Sequence, residues 1–250
     1  MAGHSHSANI AIRKGAQDKK RGKLFGKLSR AIIVAARSGG GDPTSNLALR
    51  YALDKARKSS MPKDNIDRAV KKGTGAASDE LFEDMVYEGY APGGVALLIE
   101  CVTDNKNRSS ADVRTAFNKG GGSMGSAGSV MHQFHRKGEV KFPAGAGSED
   151  AVLEAALESG ADDVVSDADE HTVYTAPDQL YAVATGMKDR GFTAGSCKLV
   201  YVPGTTITLT DLTTARAVLK QYHLLDDLDD TQDIHANFEI ADDIVDQLEA

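Results

Sequence analysis

Val95 to Thr103 reads Val-Ala-Leu-Leu-Ile-Glu-Cys-Val-Thr, an aliphatic and partly β-branched run of the length of one strand. Such a run, set between Gly-rich and polar turn residues, predicts a buried β-strand. The following residues predict a helix from Ser109 to Lys119 and a second strand from Ser129 to Phe134. This segment is therefore predicted to form a βαβ unit.

A second βαβ unit of similar size is predicted at Thr205–Leu209, Leu212–Tyr222 and Asp233–Ile240. Between the two units, Glu139 to Val202 reads as strand, helix, two strands, helix and strand, which is a complete βαββαβ set. The economical architecture is a ferredoxin-like domain that is split by the insertion of another, because the ends of a hairpin connection lie close together. The predicted boundaries are 79–137 plus 203–250 for the split domain and 138–202 for the inserted one.

The first 75 residues predict three helices instead of strands. Gly39-Gly40-Gly41 ends the first helix, Asp42-Pro43 supplies a cap and a first-turn proline for the second, and Met61-Pro62 begins the third. A glycine-containing joint follows at 73–78. The fold class is therefore predicted to be α+β, with a basic helical domain at 1–78 followed by two ferredoxin-like α/β domains, one inserted in the other.

Charge is distributed unevenly between these domains. Residues 1–75 hold seventeen Lys or Arg and five Asp or Glu, a local net charge of +12, whereas the whole chain carries −7. The remaining residues therefore carry −19. A basic segment joined to an acidic remainder is typical of proteins that bind a polyanion, and nucleic acid is the first candidate.

The spacing of the cations supports this interpretation. If residues from about 16 to 38 are helical, Lys20, Lys23, Lys27, Arg30 and Arg37 share a stripe roughly 100° wide beside an apolar stripe. An ordinary solvated Lys/Arg face is the alternative for a single helix. The excess continues over the next two helices, which favours polyanion binding.

A second, smaller phosphate contact is predicted in the strand-to-helix turn from Thr103 to Ser109, with Ser109 as a possible helix cap. A hydrogen-bonded turn without a ligand explains the same residues equally well. With Lys106 and Arg108 of this turn included, the predicted nucleic-acid-binding residues are Arg13, Lys14, Lys19, Lys20, Arg21, Lys23, Lys27, Arg30, Arg37, Arg50, Arg57, Lys71, Lys72, Lys106 and Arg108.

Motifs for catalysis or cofactors are weak in this sequence. Gly120 to Gly125 matches G-x-G-x-x-G but follows a helix and precedes a strand, the reverse of a dinucleotide site, so a helix end and turn suffice. No phosphate-binding P-loop motif occurs, and no local pattern frames a nucleophile. We therefore expect no enzyme activity, no catalytic residue and no cofactor.

Metal binding is not expected either. His4 with His6, and His132 with His135, lack a nearby Cys or a carboxylate at ligand spacing. The aspartates at 226, 227, 229, 230 and 233 lack the glycine and the final Glu of a calcium loop, and favour a solvated or partner-facing acidic turn. Cys101 and Cys197 are far apart in the sequence and lie in apolar runs, which predicts buried, reduced thiols.

The amino-terminal residues resemble no signal peptide, and no run approaches the ~20 apolar residues of a membrane span. We expect a cytoplasmic protein without membrane contact. A metal-dependent hydrolase remains a third functional class, which chelator-sensitive activity would reveal.

Several motifs in one order resemble the YebC family, which includes the mitochondrial translational activator of cytochrome c oxidase subunit I. The resemblance runs the full length of the chain. The motifs that carry it are Met1-Ala2-Gly3-His4-Ser5, Gly39-Gly40-Gly41-Asp42-Pro43, Met61-Pro62-Lys63-Asp64-Asn65-Ile66, Lys71-Lys72-Gly73-Thr74-Gly75, Tyr87-Glu88-Gly89-Tyr90, Pro92-Gly93-Gly94-Val95, Thr103-Asp104-Asn105-Lys106-Asn107-Arg108, Gly128-Ser129-Val130 and Leu225-Asp226-Asp227-Leu228-Asp229-Asp230.

The resemblance implies three domains, no catalysis, and a transcriptional regulator that binds DNA. Some members of the family instead act in translation, so a ribosome-associated translation factor that binds rRNA is the alternative. The chain departs from the family pattern at His6-Ser7 and Ala11-Ile12, where the family has Lys-Trp and Lys-His, and it contains no Trp. The amino-terminal arm therefore lacks the aromatic side chain that would stack on a base.

The charge division makes a direct prediction about fragments. We expect residues 1–78 alone to fold and bind duplex DNA, with steep weakening by salt because each phosphate contact contributes about −0.9 to the log–log slope. Residues 79–250 alone should not bind. Salt titrations of both fragments by fluorescence anisotropy would test this, and equal binding by the acidic fragment would contradict it.

Overall fold

The structure is a computed structural model that describes residues 21–75 and 82–249, without the side chains of residues 21, 22 and 249. The described helices and strands follow one another as α1 (Arg21–Gly39), α2 (Leu47–Lys58), α3 (Lys63–Gly73), β1 (Glu83–Tyr90), β2 (Ala96–Thr103), α4 (Lys106–Gly120), β3 (Ser123–Met124), β4 (Phe134–Pro143), α5 (Glu149–Glu158), β5 (Asp163–Ser166), β6 (Glu170–Thr175), α6 (Leu180–Asp189), β7 (Ser196–Pro203), β8 (Ile207–Leu209), α7 (Leu212–Asp226), β9 (Thr231–Ala236), β10 (Phe238–Ile240) and α8 (Asp242–Glu249).

Helices α1 to α3 pack around a core of their own. Ile32 and Leu49 are fully buried there, together with Leu28, Leu53 and Ile66. Apolar residues three and four apart place one face of each helix towards this core, which is how an amphipathic helix is stabilised. The part of the chain described between 21 and 75 thus forms the expected three helices.

Asn46 joins the first two of these helices. Its side chain accepts the Leu49 N–H at 3.0 Å as the N-cap of α2 and donates to the carbonyls of Ala35 and Gly40 at 2.8 Å each. The prediction that Asp42-Pro43 begins this helix is therefore wrong. Asp42 instead accepts the hydroxyl and the N–H of Thr44, and these two bonds lower the pKa of its carboxyl. A side chain that bonds its own turn competes with helix capping.

The sheet of the split domain has the strand order β3-β1-β2-β9. Strand β2, which covers most of the apolar run from Val95 to Thr103, pairs antiparallel with β1 and with β9. The predicted strand from Ser129 to Phe134 is wrong, since Met131 to Gln133 form a 3₁₀ turn and β4 begins at Phe134. The predicted first βαβ unit is therefore replaced by a hairpin, β1–β2, followed by α4.

Two helices cover one face of this sheet. Leu97 and Ile99 of β2 pack with Phe117 of α4 and Val218 of α7 in a second buried core. Cys101 lies in the same core, where burial raises the pKa of its thiol to about 11. Cys101 and Cys197 are both buried and not joined in a disulfide, as the sequence predicts.

The predicted strand Asp233–Ile240 is divided into two strands at Asn237. At this residue the chain passes from one sheet to another. Its side chain accepts the Ala96 N–H at 2.7 Å, and its carbonyl accepts the Ile207 N–H at 2.8 Å. The residues before it form β9, whereas those after it form β10, which pairs parallel with β8. The β8–α7–β10 crossover retains the second predicted βαβ connection.

The inserted segment forms a four-stranded sheet in the order β5-β6-β4-β7 with helices α5 and α6. Counted within the segment, this order is 2-3-1-4, which is that of a ferredoxin-like domain. The described residues divide into two compact units, one of those up to 134 together with those from 203 onward, and the other of 135–202. The α+β class with three N-terminal helices followed by sheet domains is thus confirmed.

Glu88 of β1 fixes the loop that follows β3. It is only 5% exposed, and its carboxylate accepts the N–H groups of Gly128, Val130 and Met131 at 2.6, 2.6 and 2.8 Å. Burial alone would raise the pKa of this carboxyl, but the three N–H donors outweigh burial and the pKa is lowered. The ionised form is therefore the one that the folded chain stabilises.

We expect Glu88→Gln to lower the free energy of unfolding by about 2 kcal/mol at neutral pH, because an amide nitrogen replaces one acceptor oxygen among three buried donors. The folded pKa is depressed, so the stabilisation is present above the unfolded value near 4.5 and is lost as pH falls through the folded value. Urea unfolding at several pH values would measure both effects.

Glu83→Gln is the matched control, since Glu83 lies on the same strand but forms an exposed ion pair with Lys106. Loss of this ion pair should lower the free energy of unfolding by less than about 1 kcal/mol. Equal costs for the two substitutions would contradict the assignment to Glu88.

Candidate nucleic-acid interface

Helix α1 presents three cations, Lys23, Lys27 and Arg30, to residues 226–230 of the split domain. We call these three the inner cations and residues 226–230 the acidic turn. The turn contains four aspartates in five residues and begins at the last residue of α7. The predicted cationic stripe therefore faces an acidic segment of its own chain.

The contacts are close and specific. Lys27 Nζ lies 2.6 Å from Asp226 Oδ1 and also donates to the Asp226 carbonyl. Lys23 Nζ donates to the carbonyl of Asp227 at 3.2 Å. The Arg30 guanidinium donates to the Asp229 carbonyl and lies 3.3 Å from Asp230 Oδ1. The side chains of Lys27 and Arg30 are consequently only 19% and 20% exposed.

Asp230 is the buried centre of this arrangement, with a side chain that is 7% exposed. Besides Arg30, it accepts hydrogen bonds from Arg108 Nη2 at 3.0 and 3.1 Å and from Thr103 Oγ1 at 2.9 Å. These partners lie on α1, α4 and β2. A buried carboxylate with this many donors satisfies the requirement that buried charges be paired.

The turn from Thr103 to Ser109, which the sequence predicts as a second phosphate contact, lies in this network. Arg108 bonds both Asp230 and Asp104, and these hydrogen bonds raise the pKa of its guanidinium. Lys106 lies 2.6 Å from Glu83 Oε2. Asn105, not Ser109, caps α4 by accepting the Arg108 N–H at 3.1 Å, and Ser109 is buried within the helix. A phosphate would have to compete with carboxylates at this turn.

A different set of cations faces solvent on α2 and α3. Residues 47–73 hold eight Lys or Arg and three Asp. Most of these cations are exposed, and we call the exposed ones the outer cations: Lys55, Arg57, Lys58, Lys63, Arg68 and Lys71. Arg57 illustrates the contrast, because its side chain is 63% exposed although it pairs with Asp54, whose side chain is 50% exposed. Such exposed pairs are weak and screened by salt, so these cations can reach phosphates.

A cleft of about 390 Å³ lies between α1 and α3 beside Phe82. Arg30, Arg68 and Lys72 line it together with Phe25, and the Lys72 ammonium lies 4.6 Å from the centre of the Phe82 ring. The cleft thus brings one inner cation next to an outer cation, and this converging positive charge favours an anion.

The residues that the sequence predicts to bind nucleic acid lie in different surroundings, some at the acidic turn and others at the exposed surface. Arg13, Lys14, Lys19 and Lys20 lie outside the described residues, and Arg21 begins α1. Arg37 bonds Asp84 and the Phe82 carbonyl, and Arg50 lies over Tyr51 at 5.8 Å. Arg57 and Lys71 are the predicted residues that belong to the outer cations.

The residues predicted from the sequence do not include Lys55, Lys58, Lys63 and Arg68. The available signal was the spacing of Arg68, Lys71 and Lys72, which are three and four residues apart and so share a face of α3. Asp64 and Asp67 on the same helix reduced the local charge excess and obscured it.

Glu100, Asp233 and His235 bring three potential metal ligands within 4.8 Å of one another. His235 Nε2 lies 3.2 Å from Glu100 Oε2, and its side chain is 3% exposed. One imidazole and two carboxylates could hold a divalent ion. A hydrogen bond between neighbouring strands also accounts for this geometry. The histidines considered in the sequence lie elsewhere, His132 beside the Gly128 carbonyl and His4 and His6 outside the described residues.

The glycine-rich segment 120–125 serves packing and the end of a helix. Gly121 is the left-handed C-cap of α4, with φ +83°. A Cβ at Gly120 would lie 2.0 Å from the Gln221 side chain of α7. The glycines thus permit close approach of two helices, as expected for a helix C-cap and turn.

Among the described residues, no helix is both long and apolar enough to cross a bilayer.

Comparison with known proteins gives full-length matches. The TACO1/YebC N-terminal domain model matches residues 5–76, and the model of the TACO1/YebC second and third domains matches residues 82–238. A protein of Pseudomonas savastanoi pv. phaseolicola, named a probable transcriptional regulatory protein, is 51% identical over 249 residues, which are 99% of this chain and 100% of that protein. A protein of the same name from Rubrobacter xylanophilus is 48% identical, covering 98% of each chain.

A solved structure shows the same fold. The crystal structure of a conserved hypothetical protein from Aquifex aeolicus superposes with a TM-score of 0.82 at 45% identity, covering 90% of this chain and 93% of the other. Both domain models and the full-length relatives agree with it. The chain belongs to the TACO1/YebC family.

Proposed function

We propose that this protein is a non-enzymatic transcriptional regulator that binds DNA through the outer cations of α2 and α3. The observation that carries the proposal is their exposure, in contrast to Lys27 and Arg30, whose side chains are largely covered by the acidic turn. The names of the relatives, probable transcriptional regulatory proteins, support the regulatory part.

The proposed recognition is of the phosphate backbone. Phe25 and Tyr51 are the aromatic residues of the first 75, and both are half-buried. Lys and Arg bind phosphate oxygens without reading base edges, so such a surface gives affinity and register but little sequence preference. Sequence preference, where the regulator needs it, would then depend on the shape and deformability of the duplex.

The absence of catalysis is part of the proposal. Ser166 Oγ lies 2.8 Å from His171 Nδ1, a contact that resembles a nucleophile with its base. However, the two residues are cross-strand neighbours of β5 and β6, and the other ring nitrogen of the 4%-exposed His171 is bonded to the carbonyls of Ala144 and Gly147. Both ring nitrogens of His171 thus form hydrogen bonds that stabilise the turn after β4.

We expect the combined substitution of Lys58, Lys63, Arg68 and Lys71 by Gln to weaken binding to a short DNA duplex and to make it less salt-dependent. Each phosphate contact that is lost should reduce the magnitude of the log–log salt slope by about 0.9. Gln keeps the helix propensity, so thermal unfolding should change little. Fluorescence anisotropy over a salt series measures both quantities.

The matched control removes one Arg and three Lys at exposed positions elsewhere, namely Arg114, Lys119, Lys188 and Lys220. It changes the net charge equally but should leave most of the affinity. Equal weakening by the two variants would mean that only net charge matters and would overturn the assignment. Parallel titrations with a structured RNA decide the target, since preference for RNA at equal salt would contradict DNA binding.

A further inference from the structure

We infer that the acidic turn is an internal competitor of nucleic acid: it occupies Lys23, Lys27 and Arg30, and a phosphate backbone displaces it from them. This inference rests on the proposed function and names a regulation of the same domain. Bound DNA would then contact the inner cations in addition to the outer ones.

The chemistry of the turn resembles that of a phosphate backbone. Within five residues it offers the inner cations three carbonyl oxygens, from Asp226, Asp227 and Asp229, and the carboxylates of Asp226 and Asp230. Lys and Arg bind closely spaced anionic oxygens in the same way in both cases. Because each cation can satisfy only one such set at a time, the two partners exclude each other.

The turn keeps its own supports when α1 leaves. Asp230 retains Arg108 and Thr103, and Asp227 caps α7 with its N–H bonded to the His223 carbonyl at 2.9 Å. The α1–α3 helices likewise have their own core around Ile32 and Leu49. Exchange of the turn for a polyanion therefore requires no unfolding of either part.

The outer part of the acidic turn is open to solvent, where a polyanion can approach it. Asp227 and Asp229 are exposed, and the Asp226 side chain is 25% exposed. The carboxylates of Asp227 and Asp229 add negative charge beside Lys23 and Arg30, which bind the carbonyl oxygens of these two residues. A closed state favoured about ten to one would lower the apparent affinity for DNA about tenfold, which is a regulatory range.

The test is the combined substitution of Asp226, Asp227 and Asp229 by Asn in the full chain. Asp230 is left unchanged, because its removal would leave Arg108 and Thr103 without their buried partner. We expect about a tenfold gain in affinity for a short DNA duplex, because the substitution removes the Asp226 carboxylate from Lys27 and two negative charges beside Lys23 and Arg30. Circular dichroism would verify the fold of each variant.

The control replaces Asp112, Asp178 and Asp189 by Asn, all exposed and remote in sequence from the turn. It raises the net charge by the same amount, so it should give a gain of less than about threefold, the part due to long-range attraction. Equal gains in both variants would show a general charge effect and overturn the competition. Weaker binding by the turn variant would overturn it as well.

A measurement on the unaltered chain covers the case in which the turn variant does not fold. Carbodiimide labelling of Asp226 should increase when duplex DNA is added, while labelling of Asp112 stays constant. Binding without any change at Asp226 would overturn the inference and leave the proposed function intact. Failure of the wild-type chain and both variants to bind DNA at low salt would overturn both.

Discussion

The carboxylate of Asp230 is a buried charge that the rest of this structure has to satisfy. Its side chain is 7% exposed, and its partners come from α1, α4 and β2. Removing one partner of a buried charge costs far more than the pair contributes, because the other charge remains desolvated. Arg108 and Thr103 keep this charge satisfied within one sheet domain, and Arg30 brings the first helix to the same group.

This contact changes how the charge asymmetry should be understood. The sequence shows a basic first segment and an acidic remainder, which suggests that the whole basic segment awaits an external polyanion. In the structure part of the basic charge is neutralised within the chain, at α1, whereas the charge on α2 and α3 remains at the surface. Exposure, more than charge count, separates cations that stabilise the fold from those available to a ligand.

Local signals in the sequence predicted most helices of the fold. The glycines after residue 38 and Met61-Pro62 mark real helix boundaries, and the βαββαβ order of the inserted segment is reproduced strand by strand. Strand β1 was missed, because Glu83-Asp84-Met85 begins it with two exposed acidic residues that weaken the apolar signal. The sequence predicts a helix cap at Asp42 because an aspartate that bonds its own turn and one that caps a helix occur in the same local sequence.

The incorrect predictions that bear on function concern residues whose bonding partners are distant in the sequence. The acidic turn was expected to be solvated or to face a partner, and nothing in the local sequence of residues 226–230 indicates that α1, about two hundred positions earlier, lies against it. Likewise, the division of 233–240 at Asn237 depends on bonds to Ala96 and Ile207. A single sequence reports periodicity and caps, whereas pairings between distant segments are decided by tertiary packing.

Two groups of cations in one small domain also determine how substitutions there should be interpreted. A Gln at Lys27 or Arg30 removes a potential phosphate contact and at the same time releases the acidic turn, so its effects on stability and on binding are coupled. A Gln at Arg68 or Lys71 removes exposed charge without disturbing a buried pair. Only the second kind of substitution reports on binding alone, and the exposed fraction of each cation distinguishes the two kinds.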